Sequence, residues 1–225
     1  MSYRDTDFCA IMELKEAFMA KTIYLIQHAE AEHHLNGMVG SWTDWPLTAK
    51  GRKQAENIAK NLYPYIKEKD FTLISSDLMR SIETLAPLAE LLHQKPIIDP
   101  RIKEIGFGIA CGKSREWFRQ NAAKCPENAD PEEHKSFPDA ESFGDLHRRV
   151  SAFLEDILAS EKENFVICGH GASLSRLYTA FLQLDPKKFE LSGKAAGVSL
   201  LLQMNNGKRL IQFCNDMSFS VMCNS

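Results

Sequence analysis

The chain has 225 residues, 44% of them hydrophobic and 25% charged, and a formal net charge of −3 from 27 Lys+Arg against 30 Asp+Glu. These are ordinary globular values and exclude a disordered or fibrous chain. The near-neutral balance argues against nucleic acid or an anionic membrane as partner, since both call for concentrated positive charge. The length suits one domain carrying an insertion.

Residues 1–21 are read as an N-terminal extension to a domain spanning 22–225. They are too acidic and too broken for a secretory h-region, and no apolar run in the chain reaches the roughly 18 residues that cross a bilayer. The expected location is the cytoplasm. Within the extension, Ile11 to Ala20 reads either as an extra helix or as sequence ahead of a start at Met12 or Met19. The first strand is predicted over Thr22 to Gln27 (TIYLIQ), rich in β-branched and aromatic residues. A polar stretch from His28 to Pro46 follows, punctuated by Gly37 and Gly40. Thr48 can cap a helix with Ala55, Ile58, Ala59 and Leu62 on one side.

Phe71 to Ser76 is a second strand, and Leu78 to His93 a helix with Leu78, Ile82, Leu85, Ala89 and Leu92 on its apolar side. Pro87 is expected to kink or divide that helix. Pro96 to Asp99 is a short third strand. Gly106 to Asp145 changes character, with Pro126, Pro131 and Pro138 and no strand signal, and is read as an insertion over one end of the sheet. Glu141 to Ser160 is a helix whose stripe contains Phe143, Leu146, Val150, Phe153 and Ile157. Asn164 to Cys168 is a nearly all-apolar strand, as a buried parallel strand should be. A helix over Gly171 to Leu182 follows, then strands over Val198 to Met204 and Arg209 to Phe213 around the turn signal Asn205-Asn206-Gly207. The alternation predicts an α/β fold: a three-layer sandwich with a mostly parallel central sheet and one antiparallel edge strand. The six cysteines form no C-x-x-C pair and read as reduced packing residues.

In open α/β sheets ligands bind beyond the carboxyl ends of the strands. The residues that follow the predicted strands are Gln27-His28-Ala29-Glu30, Ser76-Asp77-Leu78-Met79-Arg80, Arg101 to Glu104, and Gly169-His170-Gly171. A lone histidine after a strand is more often a packing residue, and a lone arginine or glutamate more often a solvated one. Two histidines, an arginine and a carboxylate sent to one rim are a different matter. Gly171 beside His170 also lets a ligand come close to the backbone.

These segments resemble the histidine phosphatase (phosphoglycerate mutase-like) superfamily over about Thr22 to Phe213. The carriers are YLIQHAE, PLTAKGRKQA, SSDLMRSIET and VICGHGAS. They correspond to the family's R-H-G-[ET], S-x-L-x-R-[AS]-x-x-T (here Ser76, Leu78, Arg80, Ser81 and Thr84), a Glu before G-x-x-x-G (Glu104), and a second H-G (His170-Gly171). The resemblance implies a phosphomonoesterase working through a phosphohistidine on His28. Glu104 would be its general acid and base, and His170, Arg80, Gln27 and Gly171 would hold the phosphate. Asn36 is a candidate for the family's phosphate-contacting Asn, two residues further from His28 than the pattern has it. No metal or other cofactor is implied, because the cations are built in. The implied partner is a small phosphorylated substrate or a phosphoprotein, and the protein a monomer or homodimer.

Gln27 stands where the family has an arginine, and Ala29 where it has a glycine. Gln donates hydrogen bonds to a phosphate oxygen but no charge, a loss of roughly one to two decades in rate. Two other readings therefore stand beside the phosphatase: a pseudophosphatase that binds phosphorylated ligands without turnover, and a phosphoglycerate-type mutase. Lys113, Arg115, Arg119 and Lys124 in the insertion are candidates for a second substrate anion, although a solvated helix face is the commoner use of each. His28-x-Glu30 with His33-His34 lacks the spacing of a helical metal motif.

Overall fold

The computed structural model describes residues 19–222. Six strands form one sheet: β1 (Met19–Gln27), β2 (Phe71–Ser75), β3 (Ile97–Ile98), β4 (Asn164–Gly169), β5 (Val198–Met204) and β6 (Arg209–Asp216). Their order is β3-β2-β4-β1-β5-β6. The four strands from β3 to β1 are parallel, and β5 runs against both β1 and β6, so the antiparallel part is an edge pair. Five helices complete the fold: α1 (Ala49–Ile66), α2 (Met79–Leu91), α3 (Arg115–Asn121), α4 (Phe143–Ala159) and α5 (Gly171–Leu182).

The period-2 alternation of β1 divides the core. Tyr24 and Ile26 face a layer built from α1 and α2, with Ile58, Leu62, Leu85 and Leu88 buried there. Ile23 and Leu25 face α4 and α5, which bury Leu146, Val150, Phe153, Leu177 and Phe181. Helices on both faces explain why β4 is apolar and buried from Phe165 to Cys168. Register then aligns the strand ends: Ile26 pairs with Cys168 and Cys168 with Ser75, so the loops leaving β1, β2 and β4 start at one level.

Some expectations change. β1 begins at Met19, three residues ahead of the predicted start, because Met19 and Lys21 also pair with β5. Residues 1–18, where the extra helix was one reading of the extension, lie outside the described residues, as do Cys9 and Cys223. Pro87 does not divide α2, which runs through it as one element. Leu85, Leu88 and Ala89 bury the turns on either side of the proline, and that burial offsets the hydrogen bond it deletes. Ile82 and Phe143 leave the predicted apolar stripes and are 40% and 41% exposed. Phe143 instead borders a cavity described below. No helix among the described residues is long and apolar enough to cross a membrane.

The chain from 106 to 142 has its own small core: Ala110, Phe137 and Ala140, with Phe107, Trp117 and Phe118 packed on it. Trp117 stacks on Phe137 with ring centroids 5.6 Å apart, and Phe118 meets both Phe107 and Phe137 edge-on. Backbone bonds from Val39 N to Lys113 O (2.8 Å) and from Arg115 N to Gly37 O (2.9 Å) fasten this segment to the loop after β1. The two segments together wall one side of the sheet's carboxyl end.

Candidate active site

The site starts with the loop after β1. His28 is buried, and its Nδ1 lies 2.8 Å from the carbonyl of Ala29. A carbonyl only accepts, so Nδ1 carries the proton and Nε2 keeps its lone pair. Ala29, fully buried, donates its N–H to Thr84 Oγ1 (2.9 Å), which in turn donates to the Arg80 carbonyl. This bond ties the β1 loop to α2. Gly51 permits the packing beneath, since a Cβ there would sit 1.9 Å from the Glu30 carbonyl oxygen.

Arg80, in the first turn of α2, is fully buried without a carboxylate bonded to it. Its Nη1 and Nη2 donate to the carbonyls of Thr43 and Ser41, each at 2.8 Å, and its Nε donates to His28 Nε2 at 3.3 Å. Burial lowers its pKa to about 10, which still leaves it charged at neutral pH. A buried cation held by neutral dipoles, with its Nε on a long bond, is poised for an anion. Ser41 is itself held tightly. Its φ of 43° lies in the left-handed region, its Oγ donates to Ile105 O (2.7 Å), and the Phe107 N–H donates to that Oγ (2.8 Å).

His170 caps the N-terminus of α5, its ring centroid 5.0 Å from that of His28. Its Nε2 lies 2.6 Å from Ser76 Oγ, and Ser76 Oγ also accepts from Leu78 N (3.3 Å). The serine hydroxyl is then free to donate to Nε2, which leaves the ring proton on Nδ1. That Nδ1 is buried with no partner, an N–H whose desolvation nothing offsets until an acceptor meets it.

Glu104 comes from the loop after β3. Its Oε1 accepts from Ile105 N (2.9 Å) and Ala172 N (3.2 Å). Its Oε2 faces the space above Gly171, where a Cβ would lie 3.9 Å from it and 3.5 Å from Gln27 Nε2. Burial raises the Glu104 pKa, against the two backbone donors and Arg80, which lower it. The loop is clamped from α4: Arg149 is ion-paired to Glu141 and donates to the carbonyls of Arg101, Lys103 and Glu104, each at 2.8 Å.

Gln27, His28, Arg80, Glu104, His170 and Gly171 therefore converge. Asn36 does not. It is exposed, and its Oδ1 accepts from Met38 N (2.9 Å), closing a local turn. The imidazoles near His28 are instead His34, stacked at 5.4 Å between centroids, and His33 at 5.7 Å. Burial, then the charge of Arg80 and neighbouring imidazoles, lowers the pKa of His28 and His170 well below the usual value, and burial brings His33 to about 3. The ring nitrogens of His28, His33 and His34 lie within 4.8 Å of one another, as metal ligands do. However, the guanidinium against His28 Nε2 makes the local charge positive and suits the pocket to an anion.

The sequence motifs left Ser41, Thr43 and Arg149 unmarked. Ser41 and Thr43 hold Arg80 through their carbonyls, which every residue has, and Arg149 acts from a helix 45 residues beyond Glu104. His33-His34 was visible in the sequence only as a pair suggesting a metal.

A buried cation and imidazoles at the carboxyl ends of parallel strands define a phosphate-handling class of α/β protein. The model of the histidine phosphatase superfamily (branch 1) matches residues 23–216, and the chain belongs to that family. It is 30% identical over 173 residues to phosphoserine phosphatase 1 of Hydrogenobacter thermophilus, covering 76% of this chain and 80% of the relative. It is also 30% identical over 167 residues to a protein of Proteus mirabilis named "Probable phosphoglycerate mutase GpmB", covering 72% and 75%. Among solved structures, the alpha-ribazole phosphatase of Shigella flexneri superposes with a TM-score of 0.73 at 20% identity, over 87% of this chain and 96% of that one.

Proposed function

We propose that the protein hydrolyses phosphomonoesters through a phosphohistidine on His28. The observation that carries this reading is the unprotonated His28 Nε2, whose lone pair is engaged only by a long 3.3 Å bond from the buried Arg80 guanidinium, beside the unpartnered Nδ1 of His170. In the first step Nε2 attacks phosphorus in line, the P–O bond to the leaving group breaks, and the Glu104 carboxyl proton passes to the departing oxygen. In the second, the Glu104 carboxylate takes a proton from water, the water oxygen bonds to phosphorus, and the P–N bond breaks to return a neutral imidazole. Arg80, the His170 Nδ1–H and the Gln27 amide share the charge on the equatorial oxygens. Burial raises the Glu104 pKa, a shift toward the protonated carboxyl that the first step uses.

The Gln27 amide supports a slower turnover than an arginine there would give, and the relatives' names favour a phosphatase or a mutase over a binding module. Rapid quench with a ³²P-labelled ester tests the reading. An acid-labile, base-stable phosphoenzyme is expected to form and decay to inorganic phosphate, and to be absent from His28→Ala. Equal, slow phosphate release by wild type and His28→Ala would defeat it. Conversion of 3-phosphoglycerate to 2-phosphoglycerate faster than phosphate release would move the assignment to a mutase.

A further inference from the structure

A cavity of about 480 Å³ opens above the cluster, with His33, Arg80 and Glu104 on its floor. Its size lies in the range of roughly 300–1,000 Å³ that holds drug-sized ligands. Its walls are apolar: Met38, Val39, Ile105, Phe107, Phe118 and Phe143. Phe107 and Phe118 are locked edge-to-face at 5.0 Å, so this wall is preformed. A three-carbon hydroxy acid such as phosphoserine or phosphoglycerate would leave most of the space unused.

Two cations sit on the wall. Arg115 and Arg119 are one helical turn apart on α3, which puts both on the face lining the cavity. Neither is ion-paired to a carboxylate among the described residues, and the guanidinium of Arg115 makes a single 3.3 Å bond, to the His33 carbonyl. Arg148, Arg149 and Arg176, by contrast, all have acidic partners.

From this arrangement, and resting on the phosphatase reading above, we infer that the substrate is a phosphomonoester with a bulky apolar or aromatic body carrying a second anionic group. The phosphate occupies the floor, the body lies along the phenylalanines, and the distal anion meets Arg115 and Arg119.

The test compares kcat/KM for phenyl phosphate, 4-carboxyphenyl phosphate, phosphoserine and 3-phosphoglycerate in wild type, Arg115→Gln, Arg119→Gln and the double variant. Both aryl esters are expected to exceed the three-carbon acids by at least about tenfold. The carboxylated ester is expected to exceed phenyl phosphate by a further factor of about ten, an advantage carried in KM and abolished in the double variant. Calorimetric affinities of benzylphosphonate, 4-carboxybenzylphosphonate and the three-carbon 3-phosphonopropionate give the same comparison without turnover, so the inference is decided even if hydrolysis fails and the phosphatase reading falls with it. Phosphoserine or 3-phosphoglycerate matching the aryl esters, or a carboxylate advantage that survives in the double variant, would overturn it.

Discussion

The floor of the site and its wall are built differently. The floor is made of strand ends and helix starts, with His28, Arg80 and His170 buried and each bonded to a neighbouring element. The wall is made of the 106–142 segment and the loop after β1, with aromatic rings packed in a satellite core and two cations lining the cavity. Phosphoryl transfer needs the same charges in the same places whatever the leaving group, and the sheet register supplies that constancy. Recognition of the leaving group has no such constraint, and in the proposed reading it falls to a segment that can change without disturbing the sheet.

The largest effect that separates the two regions is expected from Glu104. Glu104→Gln keeps the shape of the floor but has no proton to give, and should lower kcat by about two to four decades for an ester with a poor leaving group. With p-nitrophenyl phosphate, whose leaving group departs without a proton, the loss should be much smaller. The pH profile sharpens this. Wild-type activity should rise with pH as His28 loses its proton, on a limb displaced below the usual 6.5. It should fall again as Glu104 ionises, on a limb displaced above the usual 4.5. Glu104→Gln should lose the alkaline limb alone. A variant profile still bell-shaped would assign that limb to another group.

Next in size is the clamp behind the floor. Arg149→Met removes the cation paired with Glu141 and the side-chain donor to the carbonyls of Arg101 and Lys103, while the Glu104 carbonyl keeps its bond from Trp42 Nε1, a cost of about 3 kcal/mol in denaturant melts. As a positioning residue, Arg149 should also move the alkaline limb of the activity profile, because Glu104 loses its fixed depth. A stability loss with an unmoved limb would make Arg149 structural only.

Much of the floor was legible in the sequence because the chemistry sits next to recognisable strand ends. His28 follows TIYLIQ, His170 follows NFVIC, and Arg80 lies in a helix start whose spacing to Ser76 and Thr84 is itself a signal. The α/β layering was legible for the same reason: buried parallel strands are continuous apolar runs. The wall was less so. Phe143 fits the stripe of Leu146, Val150 and Phe153 by spacing, yet it sits in the first turn of α4, beyond the sheet it would cover. Asn36 fell to a similar error, since counting along an irregular loop does not say which residue turns inward. The inward residues, His33 and His34, are set by a short 3₁₀ turn over Glu32–His34 that no apolar periodicity announces.

Gly171 tests whether the space between the two regions is the substrate's. A Cβ at this position would meet Gln27 Nε2 at 3.5 Å and Glu104 Oε2 at 3.9 Å, ordinary contacts that strain nothing in the fold. Gly171→Ala should therefore leave the melting temperature within about a degree while lowering kcat/KM by about tenfold, since the methyl occupies room needed by the ester oxygen. Full activity in Gly171→Ala would place the reacting oxygen elsewhere.

An effect on stability and not on turnover is expected where floor and wall meet, at His33. Its ring is buried against His28 and His34, with Nδ1 unpartnered, while its backbone carbonyl accepts from Arg115 on the wall. Burial lowers its pKa to about 3, against an ordinary 6.5. Between those values the unfolded chain holds a proton that the folded chain refuses, so stability must fall as pH drops through this window, by up to about 1.4 kcal/mol per pH unit. Glu104 acts with the opposite sign, because its raised pKa lets the folded chain keep a proton that the unfolded chain releases above about 4.5. Urea melts of wild type and His33→Phe between pH 4.5 and 7.5 isolate the His33 contribution. The variant, with no ring to protonate, should lose less stability on acidification, whereas parallel curves would mean that His33 already accepts a proton in the fold.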